Sequence, residues 1–277
     1  MNSSLPILRN VPVWRALAVI AALILSPAGM QAKVGGQNPA GKLYVTSLEG
    51  DSKVTTDGKI VPLSAKSTFT AQGSMTETAS LGTVAMVLSN GTGLSLGQGT
   101  DIEVKLFTQE PFTASRKDLE IEPSMSHTRI GVSRGTLAVS TSKLAEGSKM
   151  TFVTPLGSVN LRDGRVVIQV DLGAVKISLL EGEAIVYAGD ADLSGRVVHA
   201  GEQAIIRPGA PGQPNTIEII KIPAPERPAL ENYGELAYAA RKTVFFETND
   251  SGEIEALPVV NTSIPVNATV SPSRLPN

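Results

Sequence analysis

Residues 149–208 read KMTFVTPLGSVNLRDGRVVIQVDLGAVKISLLEGEAIVYAGDADLSGRVVHAGEQAIIRP, and this stretch decides the fold class. Polar and apolar residues mostly alternate in residues 164–171 and 175–179, which is the period of a half-buried strand. Glycines recur every 6 to 13 residues between these runs and supply the positive φ that tight turns require. The pattern predicts an all-β protein of stacked short antiparallel strands, arranged as a sandwich, a barrel or a solenoid.

The alternation also predicts which side chains face the core. It assigns Ser178 to the solvent face and the following apolar residues to the inside: Val153, Val166, Ile168, Val170, Val175, Ile177, Leu179, Ile185, Tyr187 and Ile205. Further hairpins are predicted earlier in the chain at Asp57-Gly58 and Asn90-Gly91, the dipeptides that favour type I′ turns.

Residues 1–32 have the pattern of a secretory signal peptide. Arg9 and Arg15 precede an apolar run at residues 16–25, and small residues follow it. A run of this length is too short to span about 30 Å of hydrocarbon, so no transmembrane helix is expected after cleavage. Cleavage is predicted after Ala32 or Ala28, and the mature protein is expected in the periplasm or outside the cell.

Composition excludes several classes of protein. The chain has no cysteine, so neither disulfides nor a lipid-modified cysteine can anchor or stabilise the exported form. Removing the two arginines of the signal peptide lowers the formal net charge from −2 to about −4. Nucleic acid is therefore not an expected partner, because phosphate binding requires clustered Lys and Arg.

Several short motifs resemble the FecR domain family in their order and spacing. The similarity covers about residues 43–207 and rests on these segments: 89–96 (SNGTGLSL), 107–112 (FTQEPF), 130–137 (IGVSRGTL), 152–159 (FVTPLGSV), 180–183 (LEGE) and 200–204 (AGEQA). The resemblance implies a solenoid-like or sandwich β module, at residues 42–222, on the exported side of the membrane.

The chain departs from that family in two respects. Residues 163–166 (DGRV) replace the Gly-Thr-x-Phe that commonly follows the Thr-Pro-x-Gly strand. The best-known members also have a cytoplasmic segment that controls a sigma factor, and nothing corresponding precedes the signal peptide here. The resemblance therefore implies the exported module and does not imply sigma-factor control.

Residues 223–277 differ from the β region in composition. Three prolines follow the last predicted strand, and apolar residues at helical spacing favour a short helix at residues 230–244, although Gly234 interrupts it. From about Thr248 the chain is polar and without periodicity, which predicts a disordered tail.

One group of oxygen-bearing side chains suggests a cation-binding site. Asp190, Asp192 and Ser194 lie at positions 1, 3 and 5 of a possible calcium loop, with Gly195 at position 6. Position 12 is Gly201, where a bidentate Glu belongs, so an acidic β-turn is the alternative interpretation. Apart from calcium, no cofactor is predicted.

The sequence does not favour an enzyme. It has two histidines, His127 and His199, no cysteine and no Gly-x-Ser-x-Gly elbow. His199 is predicted to be a surface or edge residue.

The connection at residues 108–128 is predicted to be a surface excursion that tolerates deletion of residues 114–122.

Three classes of function follow from these observations. The first is a binding or sensory module that contacts an envelope or surface protein through an exposed strand edge. The second is a structural component of the envelope or surface with no dedicated ligand. The third is an enzyme, which the absence of a convergent acid, base and nucleophile disfavours.

Overall fold

The computed structural model describes residues 38–113, 119–189 and 191–259. Within these ranges the predicted all-β fold is confirmed, and one helix accompanies the strands. The elements are β1 (Lys42–Glu49), β2 (Ser52–Thr56), β3 (Lys59–Pro62), β4 (Thr68–Thr70), β5 (Met75–Thr78), β6 (Thr83–Leu88), β7 (Gly93–Leu96), β8 (Asp101–Gln109), β9 (Ser126–Ser140), β10 (Lys149–Val153), β11 (Ser158–Val170), β12 (Val175–Tyr187), β13 (Arg196–His199), β14 (Glu202–Arg207), β15 (Thr216–Lys221), α1 (Arg227–Arg241), β16 (Val244–Thr248) and β17 (Ile254–Pro258).

Fifteen of the described strands form one hydrogen-bonded sheet, and β16 pairs with β17 in a separate hairpin. The main path through the sheet runs β15-β14-β12-β11-β10-β9-β7-β6-β1-β4, and a branch leads from β9 through β8, β5 and β2 to β3. Neighbours are antiparallel except β9 and β10, which are parallel. Strand β9 pairs with β7, β8, β10 and β11, so it joins the N-terminal strands to the C-terminal ones.

Three long strands, β9, β11 and β12, bend at central glycines. Gly135, Gly164 and Gly182 have φ of 85°, 105° and 86°, in the region that favours glycine. Gly164 and Gly182 lie opposite each other in the β11–β12 ladder. The two halves of β9 pair with different neighbours, and residues from both halves belong to the same apolar core. The bends therefore let the sheet wrap around one core.

The alternation rule succeeds for the segments from Val166 to Val170 and from Val175 to Leu179. The six predicted inward residues from Val166 to Leu179 are buried in the main core. Ile185 and Tyr187 are only half-buried, and Ala184 and Val186 occupy the core instead. The register of β11 on β12 shifts at Leu180, and one extra residue moves every later side chain to the opposite face.

Three other assignments need correction. Val153 is half-buried because its neighbour Phe152 points into the core. Ile205 is buried outside the main core cluster, to which Ala204 and Ile206 belong. Ser178 faces away from the core as predicted, yet it is fully buried, because the helix covers that face.

Helix α1 spans Arg227–Arg241, close to the predicted range. Gly234 does not interrupt the helix. It is a buried contact position, because an added Cβ would lie 2.6 Å from the Leu180 side chain. Leu230 and Ala237 pack on Ala138 and Val167 of the sheet. The helix is therefore part of the folded unit and not a separate segment beyond residue 222.

The prediction of a disordered tail from Thr248 is wrong for residues 248–258. These residues complete β16 and form β17, and Val244, Phe246 and Ile254 pack against Tyr44 and Val87 on the outer face of β1 and β6. Contacts this distant in sequence leave no periodic signal. Residues 1–37 and 260–277 lie outside the described residues, so the signal peptide and its cleavage stay predictions.

No helix in the described part of the chain is long and apolar enough to cross a membrane.

Candidate protein-binding surface

The β2–β3 hairpin presents an open strand edge. Its Asp57-Gly58 turn has φ of 50° and 71°, as the predicted type I′ turn requires. Among the described strands β3 pairs only with β2, so the other edge of β3 carries unpaired main-chain groups. Ile60 and Val61 on this strand are 68% and 44% exposed. An unpaired edge with exposed apolar side chains is suited to pairing with an extended peptide.

A groove of ≈ 650 Å³ lies beside this hairpin. Ile60 and Pro62 of β3 form one wall, and Ala79, Ser80 and Gly99 belong to the turns at the other side. The groove adjoins the strand edge, so a peptide paired with β3 could place side chains in it.

Four charged side chains around the groove form two ion pairs. Lys53 Nζ lies 3.0 Å from Glu77 Oε2, and Arg134 Nε lies 2.7 Å from Asp101 Oδ2. Exposed pairs of this kind contribute about 0–1 kcal/mol to stability. Because both signs are balanced, the groove favours an extended segment with small or apolar side chains over a strongly charged one.

The predicted calcium loop is only partly described. Asp190 lies outside the described residues. Asp192 Oδ2 accepts a hydrogen bond from the Ala188 amide at 2.9 Å, and Oδ1 accepts from the Ser194 and Gly195 amides at 3.2 and 3.0 Å. The Ser194 hydroxyl donates to Oδ1 at 3.1 Å. These contacts favour the β-turn alternative, and calcium binding stays a prediction that thermal melting with and without calcium would test.

Asp192 is expected to titrate far below a normal aspartate. The hydrogen bonds from the Ala188 and Gly195 amides lower its pKa from 3.8 to about 2. Because the folded-state pKa is depressed, the ionised carboxylate stabilises the turn above the ordinary pKa, and this contribution is lost as the pH falls towards 2. Carbon-detected NMR of the Asp192 carboxyl should give a midpoint of about 2; a midpoint at 3.8 would contradict the hydrogen-bonded turn.

The two histidines lie in different surroundings. The side chain of His199 is 65% exposed, 3.9 Å from Glu183, in agreement with the predicted surface position. His127 is half-buried on β9. Within the described ranges, no group of three His, Cys, Asp or Glu residues is placed to hold a metal ion.

A polar network that the sequence does not reveal connects α1 to the sheet. Glu226 accepts hydrogen bonds from Lys176 Nζ at 3.1 Å and from Gln203 Nε2 at 3.2 Å, and Gln203 also donates to Ser178 at 2.8 Å. The hydrogen bond from Gln203, with a smaller contribution from Lys176, lowers the pKa of Glu226. This network includes Ser178, the residue assigned to solvent by alternation.

A second part of the network surrounds Arg165. Its guanidinium donates to Glu181 of β12 and to Glu235 of α1. The hydrogen bond to Glu181 raises the pKa of Arg165 most, and that to Glu235 adds to the effect. The guanidinium also lies 5.8 Å from the centroid of the Tyr238 ring. Arg165 therefore links the central bend of the sheet to the helix.

The long connection before β9 contains a buried carboxylate. Glu122 is 3% exposed and accepts hydrogen bonds from the Ala145 amide at 2.7 Å, Ser148 Oγ at 2.6 Å and Asn90 Nδ2 at 3.2 Å, and also from Ser126. The segment is therefore fastened to two other loops. Residues 114–118 lie outside the described residues, so tolerance of the deletion of residues 114–122 stays a prediction. The predicted surface position is wrong for Glu122, because one acid in a patternless segment gives no sign of burial.

Comparison with known proteins gives a distant structural likeness. No protein-family model matches the sequence, and no curated protein matches it significantly. Two crystal structures of a proposed anti-sigma factor from Parabacteroides distasonis ATCC 8503, at 2.50 and 1.65 Å resolution, align with TM-scores of 0.40 at 15% and 14% identity. Each alignment covers 56% of this chain and 62% or 63% of the other, so the chain spans less than two thirds of their length.

Proposed function

We propose that this protein is an exported, non-catalytic interaction module of the bacterial cell envelope that binds an extended segment of a partner protein along β3. The observation that carries the proposal is the unpaired edge of β3 with its exposed Ile60 and Val61. Export is supported by the basic, apolar and small residues of the first 32 positions. Placement in the periplasm or outside the cell follows from the same segment.

The chemistry of β3 fits a short, specific contact. Edge strands that must not aggregate are commonly blocked by lysine or proline, and Lys59 and Pro62 flank the two apolar residues here. Pro62 has no N–H to donate, so strand addition is restricted to about three residues. This arrangement limits self-assembly while leaving Ile60 and Val61 available to a partner.

The proposed family rests on the sequence motifs, and the proposed non-catalytic role rests on the lack of a convergent acid, base and nucleophile in the sequence. We assign the β region to the FecR domain family on the order of its motifs between residues 43 and 207, and we do not extend the assignment to sigma-factor control. A sensory role follows if the partner is a receptor in the same envelope. A purely structural role is the alternative.

Site-specific photo-cross-linking tests the proposal. A photoreactive amino acid at position 60 should give one discrete adduct with an envelope protein, because the edge and the groove meet there. The matched control is position 193, where Leu193 is 91% exposed on the loop before β13. The proposal fails if positions 60 and 193 give the same adducts or none, and a ladder of self-adducts at position 60 would favour the structural alternative.

The same experiment can show whether the contact is specific. Val61→Lys should abolish the adduct at position 60 while leaving thermal stability unchanged, since Val61 is on the exposed strand. An adduct that survives this substitution would indicate a contact that does not use the edge of β3.

A further inference from the structure

The main-chain groups of β3 alternate between the paired side and the open side of the strand. Thr56 and Lys59 close the two-residue turn, and residues in that position exchange both of their main-chain hydrogen bonds. The same side of the ladder continues at the far end of the hairpin, where the Leu63 amide donates to the Ser52 carbonyl oxygen at 3.0 Å. The odd-numbered residues of β3 are therefore bonded to β2, and the even-numbered residues direct their main-chain groups to the open side.

The open side of β3 offers one donor and two acceptors. Ile60 contributes its N–H and its carbonyl oxygen, whereas Pro62 contributes only a carbonyl oxygen because its nitrogen carries no hydrogen. The row stops at both ends of the strand. Gly58 belongs to the turn, and the Ser64 carbonyl oxygen accepts hydrogen bonds from the Ser67 amide at 3.2 Å and hydroxyl at 2.6 Å. A bound segment must therefore supply two N–H donors and one acceptor.

The short row of groups favours a segment that runs antiparallel to β3. In that direction the residue of the segment opposite Ile60 exchanges both hydrogen bonds with it, and the residue opposite Pro62 donates its N–H to the proline carbonyl oxygen. Only these two residues and the one between them must be ordered. A parallel segment makes the same three bonds with five successive residues, because each β3 residue then bonds to two different residues of its neighbour. Fixing more backbone costs more conformational entropy, so the antiparallel direction is favoured.

The side chains of such a segment meet two different surroundings. Residues directly opposite each other on neighbouring strands lie on the same face of a sheet. Ile60 and Pro62 line the groove, so the residues of the segment opposite them lie on the face of the groove, where small or apolar side chains are favoured. The residue between them lies beside Val61 on the opposite face.

Proline is excluded from two of these three positions. The residues opposite Ile60 and Pro62 must each donate an N–H, and a proline at either position lacks the donor and turns its ring towards β3. The N–H of the residue between them points away from β3, so proline is tolerated there. The requirement for N–H groups and the requirement for small side chains therefore fall on the same two residues.

We propose that the segment bound along β3 runs antiparallel to it and has a small apolar residue, then any residue including proline, then a second small apolar residue. Main-chain N–H groups are required at the two small residues and not at the residue between them. This inference rests on the binding along β3 proposed above, and it adds the direction and the sequence pattern of the partner segment.

Peptide display on the whole protein, followed by methylation of a selected peptide, tests the pattern. Random nine-residue peptides are selected on the wild type and counter-selected on Val61→Lys. Enriched peptides should share small apolar residues two positions apart. Methylation of the main-chain nitrogen at either small residue should weaken binding about tenfold, and methylation of the residue between them should change it less than about twofold, as fluorescence anisotropy would measure.

The possible failures separate this inference from the proposed function. If no peptide is enriched over Val61→Lys, the binding along β3 fails and this inference fails with it. If peptides are enriched but methylation is most harmful at the residues between the small ones, the segment runs parallel. If methylation has no effect at any position, the segment does not use the main-chain groups of β3. In both of the last two cases the binding surface stands and the proposed pattern is overturned.

A substitution at Pro62 gives a second readout. Pro62→Ala adds an outward N–H, which the carbonyl oxygen of the residue opposite can accept, so the selected peptide should bind about two- to tenfold more tightly. The control is Pro211→Ala, because Pro211 is an exposed proline in the link before β15. Equal affinities of the Pro62→Ala and Pro211→Ala variants would contradict the assignment of Pro62 to the open side.

Discussion

Replacing Gly164 with alanine is expected to lower the free energy of unfolding by about 2–5 kcal/mol. Gly164 has a φ of 105°, and an added Cβ would lie 2.1 Å from the carbonyl oxygen of Glu181 on the paired strand. Neither the φ nor the contact can be relieved without opening the bend of β11 and β12. Total stabilities of about 5–15 kcal/mol make this a large loss, measurable by urea denaturation.

The matched control for this prediction is Gly173→Ala. Gly173 lies in the turn between β11 and β12, where an added Cβ has no neighbour within 4 Å. The control should change stability by less than about 0.5 kcal/mol. Equal urea midpoints for the two alanine variants would show that the bend at Gly164 does not require glycine.

Replacing Glu122 with alanine is expected to cost about 3–5 kcal/mol. The substitution leaves the Ala145 amide, Ser148, Ser126 and Asn90 without their common acceptor in a buried site. Glu122→Gln should cost less, because one acceptor oxygen remains. Thermal melting followed by circular dichroism measures both.

The control for Glu122 is Glu110→Ala. Glu110 is an exposed acid in the same connection between β8 and β9. Its removal should leave the melting temperature nearly unchanged. If Glu122→Ala and Glu110→Ala have the same melting temperature, the buried carboxylate does not hold the connection in place.

The local alternation of polar and apolar residues was sufficient to predict the fold class and many of the core residues. Alternation placed Val166, Ile168 and Ile177 correctly because nothing disturbs the two-residue period within those segments. It failed beyond Leu180, where the pairing shifts by one residue. A bulge depends on the partner strand, so it is not encoded in the periodicity of either strand alone.

The functional candidates were less predictable for a related reason. The turn at Asp57-Gly58 was read from sequence, but the open edge of β3 depends on which distant strands pair with it. Likewise, Ser178 is buried only because a helix about fifty residues later covers its face. Gly234 suggested an interruption, although its lack of a side chain is what allows the helix to approach Leu180.

The position of β9 has a consequence for how the chain acquires its structure. This strand makes ladders with partners from Gly93 to Val170, so β7 and β8 gain this neighbour only after about half of the chain is present. Closing such large loops is entropically costly, and all-β proteins dominated by distant pairings fold in about milliseconds to seconds. Until β9 is present, β7 and β8 have open edges that can associate with other chains.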